Sequence, residues 1–364
     1  MLIKSTFQLD IEPALLQAYH IDIRNTLFFD IETTGFAAKT SQLYLIGAAF
    51  YREQDNSFCM MQWLNETGQE DAAILNEFLD FARPFSTLIH YNGDGFDIPY
   101  LKETAKKHNL HYSLSHTNSF DLYKQLRPCS KLLALSHIKQ KNIEEFLGIQ
   151  RKDKKSGGEL ITLYKTYLKH PCEDLQSLLL LHNAEDVAGL IRILPILAYP
   201  LACSGHYKVT RLSLEENTAN LQLSLDYTLP KRVSCGKGNL LLTAHKKECT
   251  FHLPIYTGEL KFFYPNYRDY YYLPLEDTAI HKSVAFYVDK EYRTQAKAAT
   301  CYSKKSGLFL PQPEPVISPY FKLEYGDHIT YFEITEEQLQ DYEGMQSYAN
   351  SLFHYLFHES SFTL

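Results

Sequence analysis

The chain has 364 residues, long enough for two domains that each bury a core, and its composition (45% hydrophobic, 22% charged) is that of a globular protein with an unusual load of 27 tyrosines and 22 phenylalanines. A formal net charge of −7 argues against a protein that coats nucleic acid through overall basicity, while leaving room for a local patch around an acidic centre. Seven cysteines (Cys59, Cys129, Cys172, Cys203, Cys235, Cys249 and Cys301) are odd in number and never spaced as Cys-x-x-Cys, which reads as reduced thiols rather than a disulfide or zinc framework. The first residues include Lys4, Asp10 and Glu12 without a sustained apolar run, so no signal peptide is expected. No window is expected to span a bilayer, and the expected compartment is the cytoplasm, without membrane contact.

Residues 1–26 form a lead-in with no legible role. Then comes Leu27-Phe28-Phe29-Asp30-Ile31-Glu32-Thr33-Thr34-Gly35-Phe36, an apolar run entering two acids and a turn. As a strand of period two, it projects Asp30 and Glu32 from one face. Paired carboxylates at the end of a buried strand resist ionising together, and a divalent cation with a taste for hard oxygen ligands resolves the conflict. A solvated Asp-x-Glu on an exposed strand gives the same pattern. The runs Leu43–Phe50 and Ser57–Leu64 complete an antiparallel meander. Ile74, Leu75, Phe78 and Leu79 form a helical stripe, and Thr87 to Tyr91 returns as a strand, implying a crossover onto the same sheet. In Asn92-Gly93-Asp94-Gly95-Phe96-Asp97-Ile98-Pro99, Pro99 fits the first turn of a helix and Asp97 its N-cap.

A short strand at Ser119-Phe120 precedes several helices. The polar loop from Arg151 to Gly158 reads as a solvated turn whose cations could also meet a phosphate backbone. Leu160, Leu163, Tyr164, Tyr167 and Leu168 mark an amphipathic helix. The next helix carries a stripe of Leu175, Leu178, Leu179, His182, Asp186, Leu190 and Ile193. Its i, i+4 spacing puts His182 and Asp186 one turn apart on one face. A polar pair within an apolar stripe is either a satisfied buried hydrogen bond or a site.

The stretch Leu201–Gly205 reads as a linker, giving a domain over 27–200 and a β-rich α+β domain of unknown role over 206–364. Strands are expected at Leu221–Tyr227, Leu240–Ala244, Thr250–Ile255 and Ser283–Val288, with Gly236, Gly238, Gly258 and Gly307 in turns. A final helix is expected from Thr335, with Gln338 in a capping box and a stripe of Leu339, Tyr342, Met345, Ala349, Leu352, Phe353 and Leu356. Tyr264, Tyr267, Tyr270, Tyr271 and Tyr272 lie among cations such as Lys261 and Arg268, with Lys231, Arg232, Lys246 and Lys247 elsewhere. Aromatic stacking with cations suits single-stranded nucleic acid, although sheet tyrosines are the commoner explanation.

Three segments thus supply acids at the ends of expected core elements: Asp30 with Glu32, Asp97, and Asp186 with His182. Four carboxylates around two cations, plus a proton acceptor, are what metal-assisted phosphodiester hydrolysis needs. On Phe28-Phe29-Asp30-Ile31-Glu32-Thr33-Thr34-Gly35, His90-Tyr91-Asn92-Gly93 with Phe96-Asp97-Ile98-Pro99, and His182-Asn183-Ala184-Glu185-Asp186-Val187, the sequence resembles the DEDD superfamily of 3′–5′ exonucleases, and within it the YprB-like family. The resemblance covers about residues 25–200. It implies an α/β ribonuclease H-like domain, a mixed five-stranded sheet flanked by helices. It also implies two Mg2+ or Mn2+ ions, with Asp30 bridging, Glu32 and Asp186 on the first ion and Asp97 on the second. His182 would be the general base or a water-positioning residue. Thr33, Asn92 and Phe96 would contact the terminal nucleotide of a nucleic acid, DNA or RNA, at a single-stranded 3′ end. The three-residue spacing from His182 to Asp186 departs from the better-known subgroups, which place Tyr at that spacing or His one residue farther. A nucleic-acid-binding or scaffold protein that keeps the fold without turnover is the alternative, and a missing carboxylate would have favoured it.

Overall fold

The computed structural model describes residues 2–153 and 155–357; the side chains of Leu2 and Leu339 lie outside the described set, so Leu339's place in the final stripe does too. The chain divides into two compact units, Met1–Ser130 with Leu135–Pro200, and Lys131–Ala134 with Leu201–Leu364.

The first unit is built on strands β1 (Leu2–Phe7), β2 (Thr26–Thr33), β3 (Leu43–Arg52), β4 (Ser57–Leu64), β5 (Thr87–His90) and β6 (Asn118–Asp121), with helix α1 (Pro13–Ala18) between the first two strands. Their order in the sheet is β1-β4-β3-β2-β5-β6. The meander β2–β3–β4 is antiparallel, while β5 runs parallel to β2 and β6 parallel to β5. The lead-in therefore has a role: β1 pairs antiparallel with β4, from Leu2↔Trp63 to Phe7↔Phe58, and adds a sixth strand to the mixed sheet. Helices α2 (Asp71–Ala82) and α3 (Asp97–Lys107) follow β4 and β5. After β6 come α4 (Leu122–Leu126), α5 (Ser130–Leu133, of the second unit from Lys131), α6 (Gln140–Leu147), α7 (Gly157–Lys169), α8 (Glu173–Arg192) and α9 (Ala198–Cys203, of the second unit from Leu201).

The period-two alternation of β2 sorts its side chains between two layers. Leu27, Phe29 and Ile31 join Ile74, Leu75 and Phe78 of α2 and Leu101 of α3 in one core. Asp30 and Glu32 turn to the opposite face, where α8 crosses β2 and β3 and where Leu45, Leu64, Tyr164 and Leu179 form a second core. Gly47 of β3, paired with Asp30, permits that crossing: a Cβ there would lie 2.0 Å from Asn183 Oδ1 of α8. Contrary to the sequence expectation, the stretch Glu173–Cys203 is long and apolar enough by composition to cross a membrane; in the fold most of it is buried core helix. Leu178 of the expected stripe is exposed, while Glu185 outside it is buried, because the face of α8 that packs on the loop before α7 is polar.

In the second unit, β7 (Tyr207–Glu215), β8 (Thr218–Lys237) and β9 (Leu240–Pro254) form one antiparallel sheet. Strands β10 (Tyr256–Phe263), β11 (Tyr270–Leu273) and β12 (Thr278–His281) follow, then helix α10 (Lys282–Ala285). After it come β13 (Thr294–Gln295), β14 (Tyr302–Gln312), β15 (Tyr320–Phe321) and β16 (Thr330–Glu333), and last α11 (Glu336–Gln340) and α12 (Tyr342–Phe357). The sheets are ordered β10-β14-β16-β15 and β12-β11-β13. Three expectations change. Ser283–Val288 is not a strand: the His281 ring caps α10 by accepting the Ser283 N–H, and Val284, Phe286 and Tyr287 stay exposed with no layer to order them. Of the four glycines, Gly238 takes a turn, with positive φ, while Gly236, Gly258 and Gly307 sit in strands. The final helix breaks at Asp341, whose carboxylate accepts the Gly344 N–H and restarts it as α12. The tyrosine cluster is largely self-satisfied. Tyr264 stacks on Tyr270 at 4.5 Å, Tyr272 donates to Asp277, Arg293 covers Tyr271, and Lys261 pairs with Glu324.

Candidate active site

The carboxylates reach one place by three routes. Strand β2 presents Asp30 and Glu32, the start of α3 presents Asp97, and α8 presents Asp186. Asp97 is not the cap of α3 but its first residue. Phe96 holds the cap position, and Asp97 Oδ1 accepts the Ile31 N–H at 3.3 Å, tying α3 to β2 between the two strand acids. Asn183, fully buried, joins α8 to the same strand through long bonds of 3.4 Å from Nδ2 to the Asp30 carbonyl and carboxylate. Gln62 of β4 fixes that amide by donating to Asn183 Oδ1 at 2.9 Å. Tyr44 donates to Glu32 Oε2 at 3.2 Å. His182 Nε2 stands 3.0 Å from Asp186 Oδ2 and 3.4 Å from Glu32 Oε1.

Electrostatics separate the acids. Burial, with the charges of Asp186, Asp97 and Glu32 added, raises Asp30 well above the ordinary carboxylate range. Burial likewise pushes Glu32 and Asp97 up to about 7, with His182 and Tyr44 pulling Glu32 back and backbone N–H groups pulling Asp97 back. Asp186 is the exception. Burial would raise it, but the His182 hydrogen bond and the Arg151 charge hold it below the usual value. For His182 burial opposes charge, yet the bond and charge of Asp186, then Glu32 and Asp153, carry it up to about 9.

Arg151 and Asp153 escaped the sequence reading, which placed them in a solvated turn. Arg151 is 10% exposed; it forks onto Glu144 of α6, itself 2% exposed, and its Nη1 donates to Asp186 Oδ1 at 2.6 Å. Gln140 also donates to Glu144, and to the Asp186 carbonyl. Asp153 is buried with Oδ2 2.5 Å from His182 Nδ1. Lys152 and Asp153 donate their backbone N–H groups to Glu185 at 2.9 and 2.8 Å. Residues 151–153 therefore meet Asp186, Glu185 and His182 in turn. One acid among four cations carries no periodicity that would reveal this; only the closure of the loop on α8 does.

The three residues of the expected nucleotide contact are less gathered. Thr33 lies at a bulge and donates to the Gly35 carbonyl at 2.9 Å. Asn92 is exposed with φ of 60°, its N–H on Asp121. Phe96 packs edge-on to Phe36, which is 94% exposed and which the sequence reading passed over. A second group of potential ligands, His90, Asp94 and Asp121, is engaged otherwise. His90 accepts the Gly93 N–H and meets Ser119, Lys124 sits on Asp94, and backbone N–H groups bond Asp121, so the group shapes the loop that delivers Asp97.

Glu32, His182 and Asp186 offer ligand atoms all within 4.8 Å of one another, and Asp30 and Asp97 border them, both shifted above the ordinary carboxylate range chiefly by burial and further by neighbouring carboxylates. Hard oxygen donors that resist sharing negative charge fit a divalent cation. Residues 27–198 match a family model described as the RNase_H superfamily. No curated protein matches the chain. Solved structures that resemble it include a family B DNA polymerase from the hyperthermophilic archaeon Pyrobaculum calidifontis, at 15% identity and a TM-score of 0.36 over 67% of this chain and 35% of the polymerase. Product-bound exonuclease I aligns at 11% identity and a TM-score of 0.33, over 55% of this chain and 57% of that one. The metal-free form of an E. coli ExoI–ssDNA complex gives 12% and 0.33, over 56% and 54%. The chain thus spans less than two thirds of each of these structures. The sheet, the helices on its two faces and the family match together make residues 27–198 a ribonuclease H-like domain.

Proposed function

We propose that the protein is a metal-dependent 3′–5′ exonuclease of the DEDD type, in the YprB-like manner, acting on a single-stranded 3′ end of DNA or RNA. The observation that carries this reading is the convergence of Asp30, Glu32, Asp97 and Asp186, with His182 at the edge of the group. Asp30, Glu32 and Asp186 would hold one Mg2+ or Mn2+ and Asp30 with Asp97 a second, which when bound supply Lewis acidity toward the phosphate and lower the pKa of water. His182 takes the proton of the attacking water at Nε2, the nitrogen that faces Glu32 and Asp186. Phe36 and Phe96 offer aromatic surface on which a terminal base stacks, with Thr33 at the end of β2 and Asn92 on the loop before α3 as the nearby polar residues.

The test is digestion of 5′-labelled DNA and RNA oligonucleotides with Mg2+, Mn2+ or chelator. Shortening from the 3′ end that needs the ion, and that Asp30→Ala abolishes without unfolding the protein, is the expected result. A purified Asp30→Ala protein with full activity would end the assignment.

A further inference from the structure

Asp153 faces two groups with its two oxygens. Oδ1 accepts the Lys155 N–H at 3.1 Å, and Oδ2 lies 2.5 Å from His182 Nδ1. A carboxylate can only accept, so the hydrogen of that second contact belongs to Nδ1. Nε2 faces carboxylates too, but at longer range, 3.0 Å from Asp186 and 3.4 Å from Glu32, so when the ring carries a single N–H the shorter contact to buried Asp153 holds it on Nδ1 and Nε2 is the nitrogen left to accept. The ring has no equivalent alternative pose, because turning it over would set carbon atoms against carboxylates on both sides. Asp153 is itself anchored, since its own N–H and that of Lys152 are held by buried Glu185.

We propose that Asp153 is a positioning residue that keeps the His182 proton on Nδ1 and so keeps Nε2 free to accept a proton. The inference rests on the exonuclease reading for its kinetic consequence. There the water proton moves to Nε2, giving an imidazolium held at both nitrogens by carboxylates. The water oxygen bonds to phosphorus as the bond from phosphorus to the neighbouring 3′-oxygen breaks, and that oxygen takes a proton from solvent.

Asp153→Asn is the discriminating substitution, because the Lys155 N–H dictates how the amide sits. Its carbonyl must stay at the Oδ1 position to accept that N–H, which turns the NH2 group toward His182 Nδ1. Nδ1 must then accept, and the ring proton moves to Nε2, where it blocks proton uptake. The same logic in a serine-protease triad, where Asn replaces Asp behind the histidine, lowers kcat by about 10⁴. A loss of that order in kcat with KM changed only a few-fold is expected here, and Asp153→Ala, which frees Nδ1 without imposing the wrong tautomer, should lose less. A merely structural role gives the opposite order, since Asn is nearly isosteric with Asp.

The direct readout is the ¹⁵N NMR of the His182 ring in the Mg2+-loaded full chain at a pH where the ring is neutral. The proton should sit on Nδ1 in the wild type and on Nε2 in Asp153→Asn. A wild-type proton on Nε2, an unchanged tautomer in Asp153→Asn, or Asn more active than Ala would each overturn the inference. The NMR needs no turnover, so a chain without nuclease activity would defeat the exonuclease reading while the positioning role is still decided.

Discussion

Arg151→Ala removes a cation whose partner cannot follow it into water. Glu144 is 2% exposed and receives the Arg151 guanidinium at both oxygens, with Gln140 Nε2 at 3.0 Å as its remaining donor. Charge-assisted hydrogen bonds contribute about 1.5–3 kcal/mol each, and three are lost, two to Glu144 and one to Asp186. Their simple sum overshoots, because Gln140 stays and because the buried pair carried its own desolvation cost. Breaking a buried pair from one side typically destabilises by about 3–5 kcal/mol, and that is the expected loss here. The chain's single tryptophan, Trp63, is 2% exposed in the core of the first unit, so its fluorescence during urea unfolding reports on this unit. Adding Glu144→Gln to Arg151→Ala removes the stranded charge and should recover more than half of the loss. A fluorescence transition for Arg151→Ala within about 1 kcal/mol of wild type, or a double variant no better than the single one, would refute the reasoning.

Gly47→Ala should be disproportionately harmful for one methyl group. Its Cβ would stand 2.0 Å from Asn183 Oδ1, and Asn183 is fixed by Gln62, so α8 must retreat from β2. The expected loss is about 1–3 kcal/mol in the same urea assay, with weaker Mg2+ binding by calorimetry because Asp186 is carried away from Asp30; unchanged Mg2+ affinity would contradict this. Glu32 and Asp97 are raised to about 7, chiefly by burial, and His182 is raised to about 9 against burial by its carboxylate partners. All three favour folding most when protonated, so their stabilisation of the metal-free protein fades as pH climbs through 7 and then 9. Because Mg2+ must displace those protons, the rise in Tm on adding Mg2+ should grow between about pH 6 and pH 9, and a flat or shrinking increment in a thermal-shift series would count against it.

The parts of the site that repeat were legible. Asp30 and Glu32 follow from the period of β2, and His182 with Asp186 from one turn of α8, because in both cases backbone geometry alone decides which side chains share a face. Asp97 was legible as an acid at a helix start but not in its role, since its bond to Ile31 depends on the crossing of two elements 66 positions apart. Arg151 and Asp153 were not legible at all. Their loop looks solvated by composition, and only the buried acids it closes on draw these side chains inward. The strand β1 was hidden for a related reason: Leu2-Ile3-Lys4-Ser5-Thr6-Phe7 is a short edge strand whose evidence lies in its partner, β4. In the second unit, the apolar Ser283–Val288 misled because apolarity signals a strand only where a second layer covers it.

The arrangement of α8 has a consequence for how the molecule is made. The strap residues meet it across short stretches of chain, 29 positions from Asp153 to His182 and 35 from Arg151 to Asp186, whereas Asn183 reaches Asp30 across 153. Loop closure favours the near contacts, so α8 can acquire its clasp while the sheet is still waiting for it. The sheet emerges from the ribosome first, with the face around Leu45 and Gly47 bare until the helix arrives. The apolar stretch from Glu173 to Cys203, of which α8 is the first part, is then exposed longest, and the ion pairs of the clasp give the polar side of α8 its partners before the apolar side finds the sheet.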